Sequence, residues 1–166
     1  TYLVDGEQYV AFMTSKGGAF PLVSGYASGK HQELPNIPRL IVLKIGGKGA
    51  LPPLPKTEPW VWNPPALIGS PEIIAAGTSN YQRYCLVCHG PGAVGTGVLP
   101  DLRKSGTIAD AAMFKGIVHD GTLAPNGMAS FKPVMTAEEV ESIRAYLISR
   151  AHFAKANDDQ YRASGK

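Results

Sequence analysis

Cysteine is scarce in this chain, with two residues among 166, too few for the disulfide framework that staples a small secreted scaffold. No apolar run approaches the roughly 18 residues that span a bilayer, which excludes a transmembrane anchor. The 16 basic and 13 acidic residues are scattered, so the net charge of +3 has no Lys/Arg cluster behind it and a nucleic-acid partner is excluded. The opening Thr1-Tyr2-Leu3-Val4 has no initiator Met and no basic or apolar leader, and a processed or truncated N-terminus is expected. What the chain has in excess is Gly (19) and Pro (14), together about a fifth of its residues. It is loop-rich, yet 44% of it is apolar, enough for a packed core.

Residues 1–49 read as β structure. Tyr2-Leu3-Val4, Asp5-Gly6 and Gln8 to Met13 form a hairpin signal, and Leu40 to Ile45 forms a third strand. Tyr9, Ala11 and Met13 on one face and Val10 and Phe12 on the other are all apolar, so the second strand expects cover on both sides. Three strands cannot supply it. This piece therefore reads as the end of a larger sheet assembly or a flap on a partner, the alternative being a small subdomain folded on the rest of the chain. Residues 50–69 are a linker: seven of the fourteen prolines fall between Pro52 and Pro71. Trp60 and Trp62 within it predict that the linker lies against a surface.

From residue 70 the pattern becomes helical. Ser70-Pro71-Glu72 opens a helix toward Cys85. Thr107 to Asp110 resembles a capping box for a short helix through Phe114, and Thr136 to Glu139 is a full capping box for a last helix ending near Arg150. A unit this small is short of interior, which a bound cofactor would supply.

Cys85-Leu86-Val87-Cys88-His89 carries the chemistry. C-x-x-C-H is the attachment sequence for a c-type haem: two thiols three positions apart reach one edge of the porphyrin, and the next residue brings an imidazole under the iron. A thioredoxin-like pair would expect a βαβ context, and a zinc site would need further ligands. An electron-transfer haem also expects a second axial ligand, and a thioether there raises the potential. Met113 falls mid-helix and reads as core, His119 reads as a helix-end cap, and His31 and His152 read as ordinary exposed residues. Met128 lies in an irregular loop 39 residues after His89, next to Gly127, and is preferred; Met135 and His119 are the alternatives.

Residues 70–150 resemble a class I cytochrome c domain, on Gly77, Tyr81, Cys85 to His89, Gly90, Leu99-Pro100-Asp101-Leu102, Gly127-Met128 and Tyr146. The resemblance implies a mainly α fold and one covalent haem c bound through Cys85 and Cys88, with His89 and Met128 on the iron. It also implies that Gly77 allows the first and last helices to cross closely and that the Pro100 carbonyl orients His89. Arg103 is placed to pair with a haem propionate. Ala129 follows Met128 where many relatives have Pro, which implies a less rigid loop.

The whole chain resembles the C-terminal part of a quinohaemoprotein alcohol dehydrogenase, in which a PQQ-containing propeller is followed by a Pro-rich linker and a cytochrome c domain. The resemblance rests on Asp5 to Ala11, Gly17-Gly18-Ala19, Pro38 to Leu43, Leu99 to Arg103 and Leu123 to Met128. Ser15-Lys16 stand where many relatives carry Trp before the glycine pair, so no quinone-contact role passes to that turn. The reading divides the chain into terminal propeller strands (1–49), a linker (50–69) and a cytochrome c domain (70–166). The catalytic Asp, the calcium ligands and almost all PQQ contacts would lie upstream of Thr1. Electrons would come from reduced PQQ in the propeller domain and leave to a soluble redox protein or a quinone, in the periplasm. The rivals are a freestanding periplasmic electron-carrier cytochrome c and a thiol or zinc protein built on Cys85 and Cys88.

Overall fold

The structure, a computed structural model, describes residues 1–14, 39–53, 58, 60–95 and 99–164. His31, the Gly17-Gly18-Ala19 turn and Pro38 lie outside the described residues.

Strands β1 (Tyr2–Val4), β2 (Glu7–Thr14) and β3 (Arg39–Lys44) form an antiparallel sheet in the order β1-β2-β3. Val4 pairs with Glu7, so Asp5-Gly6 is a two-residue turn with φ of +52° and +79°, the conformation that matches the twist of a hairpin. Tyr2 and Tyr9 sit opposite each other and their rings stack 5.4 Å apart. Phe12 and Met13, on opposite faces, are 43% and 67% exposed. Among the described residues nothing covers either face, which leaves the sheet with the unmet demand for cover that its sequence announces.

Helix α1 (Pro71–Tyr84) starts as predicted, with the Ser70 side chain accepting from the Ile73 N–H. A single helical turn, α2 (Leu86–His89), follows Cys85 directly. The next helix, α3 (Ala111–Val118), corrects the expected capping box at Thr107. Gly106–Ala109 is a 3₁₀ turn, and Asp110 is itself the cap, its Oδ1 accepting from the Met113 N–H at 2.9 Å. Helix α4 (Ala137–Ala163) has the Thr136/Glu139 capping box but runs well past the predicted end near Arg150. Its buried face stops at Ala154, which is why apolar periodicity misses the extension. The i,i+4 pairs Lys155–Asp159 and Arg162–Asp158 lie along that polar part.

The core forms where α1 crosses α4. A Cβ on Gly77 would lie 1.9 Å from the Ser142 carbonyl oxygen, so only glycine allows this approach. Tyr81, Val140, Ile143, Leu147 and Ile148 are fully enclosed there, each worth roughly 1.5–3 kcal/mol by burial. The Tyr81 and Tyr146 rings meet at 5.0 Å.

From Trp60 to Ile68 the linker lies on the surface of the helical unit. Lys104 Nζ sits 5.4 and 5.5 Å from the Trp60 and Trp62 rings, and the Arg103 guanidinium lies 5.5 Å from Trp62. Ile68 packs on the core. His152, expected to be an ordinary exposed residue, is half-buried, and its Nε2 donates to the Pro65 carbonyl at 2.8 Å. The linker's prolines have no N–H to bond, but their carbonyls can still accept.

Candidate haem site

The Cys85 N–H closes the last turn of α1 on the Tyr81 carbonyl at 2.9 Å. The Cys88 and His89 N–H groups then both return to the Cys85 carbonyl, at 3.2 and 2.9 Å. This single turn brings the two sulfurs to neighbouring positions on one helical face. Both cysteines are free; Cys85 is buried and Cys88 exposed. Burial pushes the Cys85 thiol up to about 12, with the nearby Cys88 adding to the effect.

His89 is enclosed, and burial holds its pKa below the ordinary value, which keeps the imidazole neutral and able to ligate. Its Nδ1 is buried and makes no well-formed hydrogen bond. The Pro100 backbone carbonyl is the acceptor that works on it, pulling the pKa partly back up. Two features beyond the sequence prediction build this arrangement. Tyr81 donates its hydroxyl to the Gly90 carbonyl at 2.6 Å, fixing the chain just after His89. Gly95, at φ +80°, donates its N–H to the His89 carbonyl at 2.9 Å. A Cβ on Gly95 would lie 2.7 Å from the Leu99 carbonyl oxygen and 2.8 Å from the Asp101 nitrogen, so glycine lets the loop double back and bring Pro100 to the imidazole. The phase of Tyr81, four residues before Cys85, was the available signal for the first feature; the loop closure at Gly95 has no local signature.

Arg103 is only 7% exposed, and its Nε and Nη2 are engaged by the two Asp101 carboxylate oxygens at 2.9 and 2.7 Å. It is therefore an ion-paired, stacked residue rather than a solvated one.

Of the other candidates, Met128 is half-buried and packs against the core, its N–H bonded to the Leu123 carbonyl at 3.2 Å and preceded by Gly127 at φ +94°. Met135 is 4% exposed and part of the core. Met113, expected in the core, is instead 53% exposed. As the third residue of α3, Met113 falls on the open side of that short helix, whereas Phe114 and Val118 take the buried one. His119 caps the end of α3 as expected, with Nδ1 2.8 Å from Asp120 Oδ1.

These residues fit a haem c. Two thiols stand at the attachment spacing, beside an enclosed neutral imidazole whose Nδ1 is turned toward a carbonyl. That leaves Nε2 for iron. Leu102, Ile117, Met128 and Phe131 are half-buried against the core, the apolar margin such a group needs. Among the described residues no group of three or more His, Cys, Asp or Glu could hold a bare metal ion.

Residues 72–147 match a family model described as cytochrome c oxidase, cbb3-type, subunit III, and together with the attachment sequence this defines a cytochrome c domain. Such a domain carries haem for electron transfer. The surrounding chain is more particular. It is 43% identical over 162 residues to quinohemoprotein alcohol dehydrogenase ADH-IIG of Pseudomonas putida, covering 98% of this chain and 22% of that protein. It is 38% identical over 156 residues to quinohemoprotein alcohol dehydrogenase ADH IIB of the same species, covering 92% and 22%. The solved structure of the Pseudomonas putida ADHIIG enzyme superposes with a TM-score of 0.66 at 40% identity, over 91% of this chain and 22% of that one. The quinohemoprotein alcohol dehydrogenase of Comamonas testosteroni does so at 0.59 and 26% identity, over 91% and 21%. The chain thus corresponds to the C-terminal cytochrome portion of quinohaemoprotein alcohol dehydrogenases, and spans about a fifth of the length of the relatives it matches.

Proposed function

We propose that this chain takes electrons from reduced PQQ in an upstream propeller of the same enzyme and passes them to a soluble redox protein or a quinone, in the periplasm. The observation that carries the reading is the enclosed, neutral His89 directly after Cys85 and Cys88, within a chain aligned almost end to end with alcohol-oxidising relatives. Haem c, when bound, supplies an iron that alternates between ferric and ferrous states.

The chain's own residues have distinct tasks. Cys85 and Cys88 hold the group covalently. His89 ligates from one side, oriented by the Pro100 carbonyl and stiffened by the Tyr81 and Gly95 bonds around it. Met128 would supply the second ligand, a thioether that favours the ferrous state. Arg103, kept in place by Asp101 and Trp62, would pair with a haem carboxylate. With His89 and Met128 both engaged, the group would serve electron transfer rather than substrate binding. PQQ and calcium belong to the upstream region. The bare sheet of residues 1–49 is read as the last propeller strands, with residues 50–69 as the linker and 70–166 as the cytochrome domain. A freestanding carrier would have no use for a sheet with two open apolar faces.

The test is rapid-mixing spectroscopy. In the full-length enzyme loaded with PQQ and calcium, a primary alcohol should reduce the haem. The haem-bearing 166-residue chain should stay oxidised under the same conditions. A full-length enzyme that turns over with its haem still oxidised would refute the proposal. Met128→Ala should lower the reduction potential, and an unchanged potential would move the axial role away from Met128.

A further inference from the structure

Helix α3 ends at Val118, and the last carbonyls of a helix have no partners within it. In this chain the loop that carries Met128 takes two of them, those of Gly116 and Val118. Thr122 donates both its N–H and its hydroxyl to the Gly116 carbonyl, at 3.0 and 2.9 Å, where the loop leaves the helix. On the return limb, the Phe131 N–H bonds the Val118 carbonyl at 3.0 Å. The His119 carbonyl accepts twice, from the Lys132 N–H at 3.1 Å and from the Ser130 hydroxyl at 2.7 Å. The two limbs also press together: Gly121 has φ +80°, and a Cβ there would lie 2.7 Å from the Ser130 Cβ. Residues 122–132 therefore begin and end at the same helix terminus, with Met128 between the two anchorages.

We propose that Ser130 is a positioning residue for the axial ligand: seated on Gly121 and bonded to the His119 carbonyl, its hydroxyl latches the loop shut and sets how often Met128 leaves the iron. This rests on the reading of Met128 as the ligand. Swinging the return limb away strands the Val118 and His119 carbonyls, so the closed loop is favoured by the same bonds that finish the helix. An added ligand binds the iron only when the loop is open, so its apparent affinity scales with the open fraction. Removing one hydrogen bond of ordinary strength raises that fraction about fivefold.

The experiment titrates the ferric holoprotein with imidazole, alongside the charge-transfer band of methionine-ligated ferric haem and a thermal melt. Ser130→Ala should bind imidazole about fivefold tighter while still melting cooperatively. Thr122→Val, which removes a side-chain bond at the other anchorage, should move the affinity the same way, and it decides the matter if Ser130→Ala fails to load haem. Met128→Ala serves as the reference and should lose the charge-transfer band altogether. Unchanged imidazole affinity in the latch variants, with the band lost in Met128→Ala, overturns the latch and leaves Met128 as ligand. A band that persists in Met128→Ala overturns the axial reading, and the latch with it.

Discussion

The strands of the sheet are richer in apolar residues than the helical unit, yet the two regions use them in opposite ways. In the helical unit each apolar stripe meets another: Tyr81 on α1 stacks on Tyr146 of α4, and the crossing closes to backbone contact at Gly77. In the sheet, Val10, Phe12, Met13, Leu40, Val42 and Leu43 all stay exposed, although pairing between strands is complete. The backbone ladder is formed in the sheet as it is in the helices; burial is achieved only in the helical unit. The helical unit has its own core, whereas among the described residues the apolar faces of the sheet have none.

The sharpest way to break this contrast is Gly77→Val. A side chain cannot fit where even a Cβ would lie 1.9 Å from the Ser142 carbonyl oxygen, so α1 and α4 must separate. The expected cost is at least about 3 kcal/mol, enough to abolish cooperative melting, and a normal melt would show that the crossing can relax.

Next in size is a pH effect on the haem-free chain. The folded Cys85 thiol titrates near 12 and the unfolded one near 9.0. Between these values the unfolded state has released a proton that the folded state retains, so stability is full below the unfolded value and falls as pH rises through the window. The slope reaches at most about 1.4 kcal/mol per pH unit. Once Cys85 is a thioether there is no proton to lose, and this part of the alkaline loss should vanish from denaturant titrations of the haem-bearing protein. Cys88→Ser should separately weaken covalent haem retention, read as haem released on denaturation; full retention would overturn the attachment role.

Phe12→Asp should have the smallest effect on the helical unit, within about 0.5 kcal/mol, because Phe12 touches only an open face. A large drop in the melting of the helical unit would mean that the sheet packs on it in solution. That result would favour the freestanding carrier.

Much of this was legible in the chain. The Asp5-Gly6 turn and the Ser70 and Thr136 caps are local features, in which a few neighbouring residues fix backbone angles, and the structure has each of them. The misses have a common cause. Apolar periodicity ends α4 too early because its last turns bear no apolar face, and it leaves the start of α3 ambiguous because two caps, Ser105 and Asp110, fall within six residues. The sequence pattern puts Met113 inside and His152 outside, whereas a helix's phase and a linker's path decide which side is covered.

The sequence by itself determined the Asp5-Gly6 hairpin turn, the Ser70 and Thr136 helix caps and the apolar residues on both faces of the second strand, since turn chemistry, capping and alternation act over short stretches. Only the tertiary structure decided that Gly95 folds Pro100 back toward His89, that Asp101 and Trp62 hold Arg103, and that the Met128 loop finishes helix α3. Each of these joins residues from separate turns of the chain, and the bonds form because buried or helix-terminal polar groups must find partners wherever the packed fold brings them.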